Sequence, residues 1–150
     1  MGGDMRKALM AILFFAVLNA ANGLIAQSPD YMPGPVWRMV YYRINPGQEG
    51  VFWKNMREDF QPIFELAKKE GVMTEFKIYK NPVKDHPGDW DVMLALGYPN
   101  YAALDQLEAK WASWYVKYYG SQAKVSEGVK ERDGSREVVA VRLVREVKLK

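Results

Sequence analysis

The chain has 150 residues, 49% of them apolar and 26% charged, with a formal net charge of +3. Those proportions suit one globular domain of roughly 100 to 200 residues and exclude a largely disordered chain; the basic residues are interspersed with acids, which excludes a dedicated nucleic-acid surface. There is no cysteine and one histidine, His86, so disulfides, thiolate ligands, a cysteine nucleophile and a multi-histidine metal site are excluded, and no metal or cofactor is expected.

Arg6 and Lys7 precede an apolar run from Ala8 to Leu18, and the small residues Ala20, Ala21 and Gly23 follow. Charged, apolar and small residues in that order mark a secretory signal peptide over residues 1–23. The expected location is periplasmic or secreted. The apolar run falls short of the roughly 20 residues of a membrane-spanning helix, so no stable span is expected after cleavage. Residues 24–35, with Pro29, Pro33, Gly34 and Pro35, read as an extended linker to a folded domain over 36–150.

Val36 to Ile44 alternates as a strand. Val36, Val40, Tyr42 and Ile44 share one face, broken by Arg38, while Trp37, Met39, Tyr41 and Arg43 share the other. A strand that is apolar on both faces belongs in the middle of a sheet. Pro46 and Gly47 turn the chain into a helix with Phe52, Met56, Phe60, Ile63 and Ala67 at helical spacing and Phe64 beside them; Pro62 predicts a kink near Asp59 to Gln61. Met73 to Lys80 is a second strand whose Glu75, Lys77 and Tyr79 face suggests a sheet edge. Asn81 to Asp89 carries turn chemistry throughout, and His86 reads there as a solvated loop residue.

The third strand, Trp90 to Tyr98, is the most apolar. Asp91, Met93, Ala95 and Gly97 make its slimmer face. Asn100 can cap a helix carrying Leu104, Leu107, Trp111, Trp114 and Tyr118 on one stripe, with Gly120 ending it. Ser121 to Ser135 is polar and punctuated by glycine, and reads as a surface excursion. The last strand, Arg136 to Leu149, is expected to put Val139, Val141 and Leu143 on one face and Ala140, Arg142, Val144 and Glu146 on the other.

Strand, helix, strand, strand, helix, strand is the order of an α+β, ferredoxin-like βαββαβ fold, with a four-stranded antiparallel sheet and two helices on one face. Two helices cover one side only. The other side, bearing Trp37, Met39, Tyr41 and Met93, predicts a homodimer paired through it.

Tyr42-Arg-Ile-Asn-Pro-Gly47, the Phe52 to Met56 spacing, Asp89-Trp90 and Asn100-Tyr-Ala-Ala-Leu104 together resemble the dimeric α/β-barrel superfamily across Val36 to Leu149. The chain is similar to its NIPSNAP-like and antibiotic-biosynthesis-monooxygenase-like branches. That resemblance implies two sheets facing each other around a cavity, and activities from cofactor-free oxygenation to haem degradation. The haem-degrading branch uses a histidine on the second helix, and Asn100 to Tyr119 has none. Cofactor-free oxygenation would draw on Trp37, Tyr41, Tyr79 and Arg142.

The leading expectation is a small aromatic or amphipathic molecule bound between the sheets. Its pocket candidates are Trp37, Met39, Tyr41, Glu75, Lys77, Tyr79, Asp91, Met93 and Arg142, with space left by the slim Ala95 and Gly97. A monooxygenase and a filled barrel with no ligand are the alternatives, and no motif assigns a catalytic residue.

Overall fold

The structure, a computed structural model, describes residues 30–150; the expected signal peptide and residues 24–29 of the expected linker lie outside the described residues. Strand β1 runs Tyr31–Ile44, so it starts inside the stretch expected to be linker. A helical rod follows: α1, Glu49–Asn55, a π-helical turn, Met56–Phe60, and α2, Gln61–Lys69. Strands β2, Glu75–Lys80, and β3, Val92–Tyr98, precede α3, Ala102–Tyr119, α4, Gln122–Ser135, and β4, Arg136–Leu149. The sheet order is β2-β3-β1-β4, which makes the two strands with two apolar faces the central ones. This is the ferredoxin-like arrangement.

Antiparallel register sets Trp37 opposite Gly97 and Met39 opposite Ala95 on one side of the sheet, and Val40 opposite Leu94 on the other. The core forms on the second side. Val36, Val40, Tyr42, Leu94, Leu96 and Tyr98 pack there against Phe52, Met56, Ile63 and Phe64 of the rod and Leu107, Trp114 and Tyr115 of α3. Full burial of one such aliphatic side chain is worth about 1.5 to 3 kcal/mol, so this shared interior, rather than helix propensity, fixes where the rod and α3 lie.

Pro62 has its expected effect, in a specific form. It lacks the N–H that would close a helical turn onto Glu58, and the rod widens into the π-helical turn immediately before α2. Asn100 accepts a hydrogen bond from the Ala103 amide at 3.1 Å, and Gly120, at φ 80°, closes α3 in the left-handed conformation that a glycine adopts without strain.

The segment Ser121 to Ser135 is not the expected excursion but a helix, α4. Its Ser121 hydroxyl caps the start by accepting from the Lys124 amide. Its buried residues are Gly128, Arg132 and Ser135, so the helix docks through a missing side chain and a cation rather than an apolar stripe. That is why its periodicity is invisible. Arg132 donates to the Tyr119 hydroxyl at 3.0 Å and stacks on Phe60 and Tyr115.

No helix among the described residues is long and apolar enough to cross a membrane.

Candidate functional site

The register builds a grid on the side of the sheet away from the core. Trp37, Gly97 and Glu75 form one row, Met39, Ala95 and Lys77 the next, and Tyr41, Met93 and Tyr79 the third. Most of the predicted pocket residues therefore do converge. They line, with Val144 and Glu146, a shallow depression of about 280 Å³.

The chemistry within that grid is largely internal. Trp37 is only 7% exposed. Its indole lies against Gly97, its Nε1 donates to Glu146 at 3.3 Å, and the Lys77 ammonium sits 4.9 Å from its ring. Lys77 in turn pairs with Glu75 at 3.1 Å. The space expected over Gly97 is thus occupied by Trp37 itself. Tyr41 packs edge-on against Trp90 and donates to the Met39 sulfur at 3.7 Å, while Tyr79 remains 45% exposed.

Asp91 stands apart from this group. Its carboxylate accepts from the Ile44 amide at 2.8 Å and pairs with Lys84, which ties the end of β1 to the loop after β2. Burial opposes its ionisation, but the Lys84 ammonium and the Ile44 N–H outweigh that and hold its carboxyl below the ordinary range. Arg142 is exposed on β4, and its guanidinium turns back to the Val141 carbonyl. His86 accepts from the Gly88 amide at 2.8 Å and so shapes the loop turn.

The larger space lies on the other side of the sheet, between sheet and helices, at about 870 Å³. Val40, Tyr42, Leu94 and Leu96 form its floor. Phe60 and Phe64 from the rod and Leu104, Leu107 and Trp111 from α3 form its roof. Val138, Val141 and Leu143 of β4 form a flank that no helix among the described residues covers, with Val141 and Leu143 44% and 49% exposed.

Strict alternation cannot put Val138 and Val141 on one side of a strand. Glu137 meets Arg43 and Glu146 meets Trp37 on the opposite face, so the side-chain phase of β4 slips by one residue between Val138 and Val141, as at a bulge. The expected set that began at Val139 is thereby split, and Val138 joins Val141 and Leu143 at the cavity.

Two charged side chains share the apolar cavity, Arg38 from β1 and Glu108 from α3. Behind its inner wall the Arg136 guanidinium lies 4.5 Å from the Tyr42 ring and 4.8 Å from that of Phe60. Burial raises the Tyr42 phenol above its ordinary pKa, opposed by Arg136, Arg38 and Arg132. Sequence reasoning flagged Arg38 as a break in an apolar face but missed the cavity. The missing signal was the phase slip in β4, which brings Val138, Val141 and Leu143 to the same space as Trp111.

No family model matches the chain, and no curated protein matches it in sequence. Solved structures do resemble it at low identity. A dimeric ferredoxin-like protein from an uncultured marine organism is similar with a TM-score of 0.48 and 8% identity, over 78% of this chain and 90% of that one. A dimeric ferredoxin-like protein of unknown function from Jannaschia sp. CCS1 gives 0.44 and 14%, over 75% and 98%. A dimeric protein of unknown function and ferredoxin-like fold from Bacteroides fragilis gives 0.41 and 15%, over 75% and 95%.

Proposed function

We propose that this chain is an exported, homodimeric binding protein of the dimeric α/β-barrel type, and that each subunit holds a small apolar or aromatic molecule between its sheet and its helices. The observation that carries the reading is the apolar cavity of about 870 Å³, open along β4 and fitted with two charged side chains. Binding cavities for small molecules occupy about 300 to 1,000 Å³ and combine apolar walls with a few polar groups. The site therefore moves from between the sheets, where the sequence placed it, to the helix side.

The grid of Trp37, Met39, Tyr41, Tyr79 and Met93 takes the other role, as the surface on which two copies pair. Its partly exposed Met39, Tyr41 and Met93 and its exposed Tyr79, around a buried Trp37, suit a two-fold contact that is the same on both partners. Lys77 and Glu75 then lie at the rim of that contact, where a mutual ion pair stays wet.

Native mass spectrometry of the full chain tests both parts. A dimer that falls to monomer in Met39→Glu supports the pairing face, and an unchanged dimer sinks it. Binding of the uncharged dye N-phenyl-1-naphthylamine, lost in Ala112→Trp at the cavity wall with the circular dichroism unaltered, supports the cavity. Oxygen uptake with an aromatic substrate would move the reading to the cofactor-independent oxygenase; a dye that never binds would return it to a protein without a ligand.

A further inference from the structure

The cavity reading above is the premise here, and the question is which molecule the cavity takes. On the core side of β1, Val36, Val40 and Tyr42 are buried, whereas Arg38 between them is exposed and carries its guanidinium from that apolar face to water. A guanidinium on the core side of a central strand is costly unless it is paired or reaches water. Among the described residues Arg38 has no hydrogen bond or ion pair to protein, and its side chain lines the cavity. Glu108 lines the same cavity without pairing to it.

Further cations lie around the cavity floor. Arg136, Arg38 and Arg132 all act on the phenol of Tyr42 in the cavity floor. The Asp59 carboxylate is 3.9 Å from Arg132, and Asp133 acts on Arg136. Nη1 of Arg136 is buried without a hydrogen-bond partner among the described residues. Arg136 therefore puts a cation behind the cavity floor at Tyr42, while the walls are apolar.

We propose that the cavity takes a single-tailed carboxylate amphiphile of the fatty-acid class, its carboxylate on Arg38 and its tail along Leu94, Leu96, Trp111 and Leu143. A guanidinium presents a planar fork that matches a carboxylate with two parallel hydrogen bonds, and Arg38 presents it beside the apolar lining. Glu108 faces the same space. One negative charge is thus matched by Arg38, whereas a second would meet a carboxylate, which selects a monoanion over a dicarboxylate.

The test displaces N-phenyl-1-naphthylamine from the full chain with dodecanoate, dodecanol or dodecyltrimethylammonium. Dodecanoate should displace the dye at a concentration at least about tenfold lower than dodecanol, the scale of one charge-assisted hydrogen bond. Arg38→Met should bring that ratio to about one while dye affinity holds, because it replaces an unpaired cation with an apolar side chain of similar length. Equal displacement by dodecanoate and dodecanol, a preference that survives Arg38→Met, or tighter binding of dodecyltrimethylammonium each overturns the headgroup assignment and leaves the cavity reading intact. A dye that does not bind overturns the cavity reading and this inference with it.

Discussion

The Tyr118 hydroxyl donates to the backbone carbonyl of Glu58, the acceptor that Pro62, four residues further on, has no N–H to satisfy. A defect in one helix is thus answered by a side chain of another. Tyr118→Phe should cost about 1 kcal/mol, the net worth of one hydrogen bond, since the half-exposed site lets water substitute in part. In a Pro62→Ala background, where an amide becomes available near Glu58, the same substitution should cost less. Urea unfolding of the four proteins gives the coupling, and a coupling of zero would show that the two residues act independently.

Helix α4 carries two glycines with opposite surroundings. A Cβ on Gly128 would stand 3.0 Å from the Tyr119 hydroxyl, whereas one on Gly134 would meet nothing within 4 Å. Glycine inside a helix costs about 1 kcal/mol relative to alanine. Gly134→Ala should therefore raise stability by about 0.5 to 1 kcal/mol. Gly128→Ala should forfeit that gain by pushing Tyr119 off its bond with Arg132. Thermal unfolding of the two variants decides it, and equal stabilisation would mean that α4 is not held against Tyr119.

These two helices also show what could and could not be read in advance. The central strands were legible because Val36 to Ile44 and Val92 to Tyr98 are apolar on both faces, which agrees with their central places in the sheet. Pro62 announced its own distortion. Helix α4 was not legible because Arg132 and Gly128, the residues that dock it, are types normally found on surfaces and in turns. The sheet grid of Trp37, Met39 and Tyr41 emerged from two-residue periodicity, which register then placed beside Ala95 and Lys77. The helix-side cavity needed tertiary facts: the slip in β4 and the gathering of residues from β1, β3, α3 and β4 around one space.

Gly97 is a packing position rather than an opening. A Cβ there would lie 2.8 Å from the Thr74 hydroxyl oxygen and 3.2 Å from the Trp37 ring. Gly97→Ala should destabilise the fold by about 1 to 3 kcal/mol, the range for overpacking. It should also shift the tryptophan emission as Trp37 moves away from Lys77 toward solvent. Unaltered stability with unaltered emission would mean that the indole does not rest on that strand.

Asp91 makes the acid limb of the stability curve a test of how β1 is anchored. Its carboxyl is held below the ordinary value of 3.8 in the folded chain, so the folded state binds fewer protons there than the unfolded state does. The stabilisation is present in full above the unfolded value and is lost as pH falls through the lower folded value. Asp91→Asn removes the charge but keeps an oxygen for the Ile44 amide, so at neutral pH it should cost about 1 kcal/mol, modest because the ion pair with Lys84 is partly wet. Below the folded pKa of Asp91 the gap between the parent and the variant should close. Lys84→Met should weaken the same pH dependence while leaving the Ile44 bond in place. Denaturant unfolding from neutral to strongly acidic pH measures both, and a gap independent of pH would assign the anchor to the backbone bonds of Asp91, to the Tyr42 carbonyl and from the Asn81 amide, instead of to its charge.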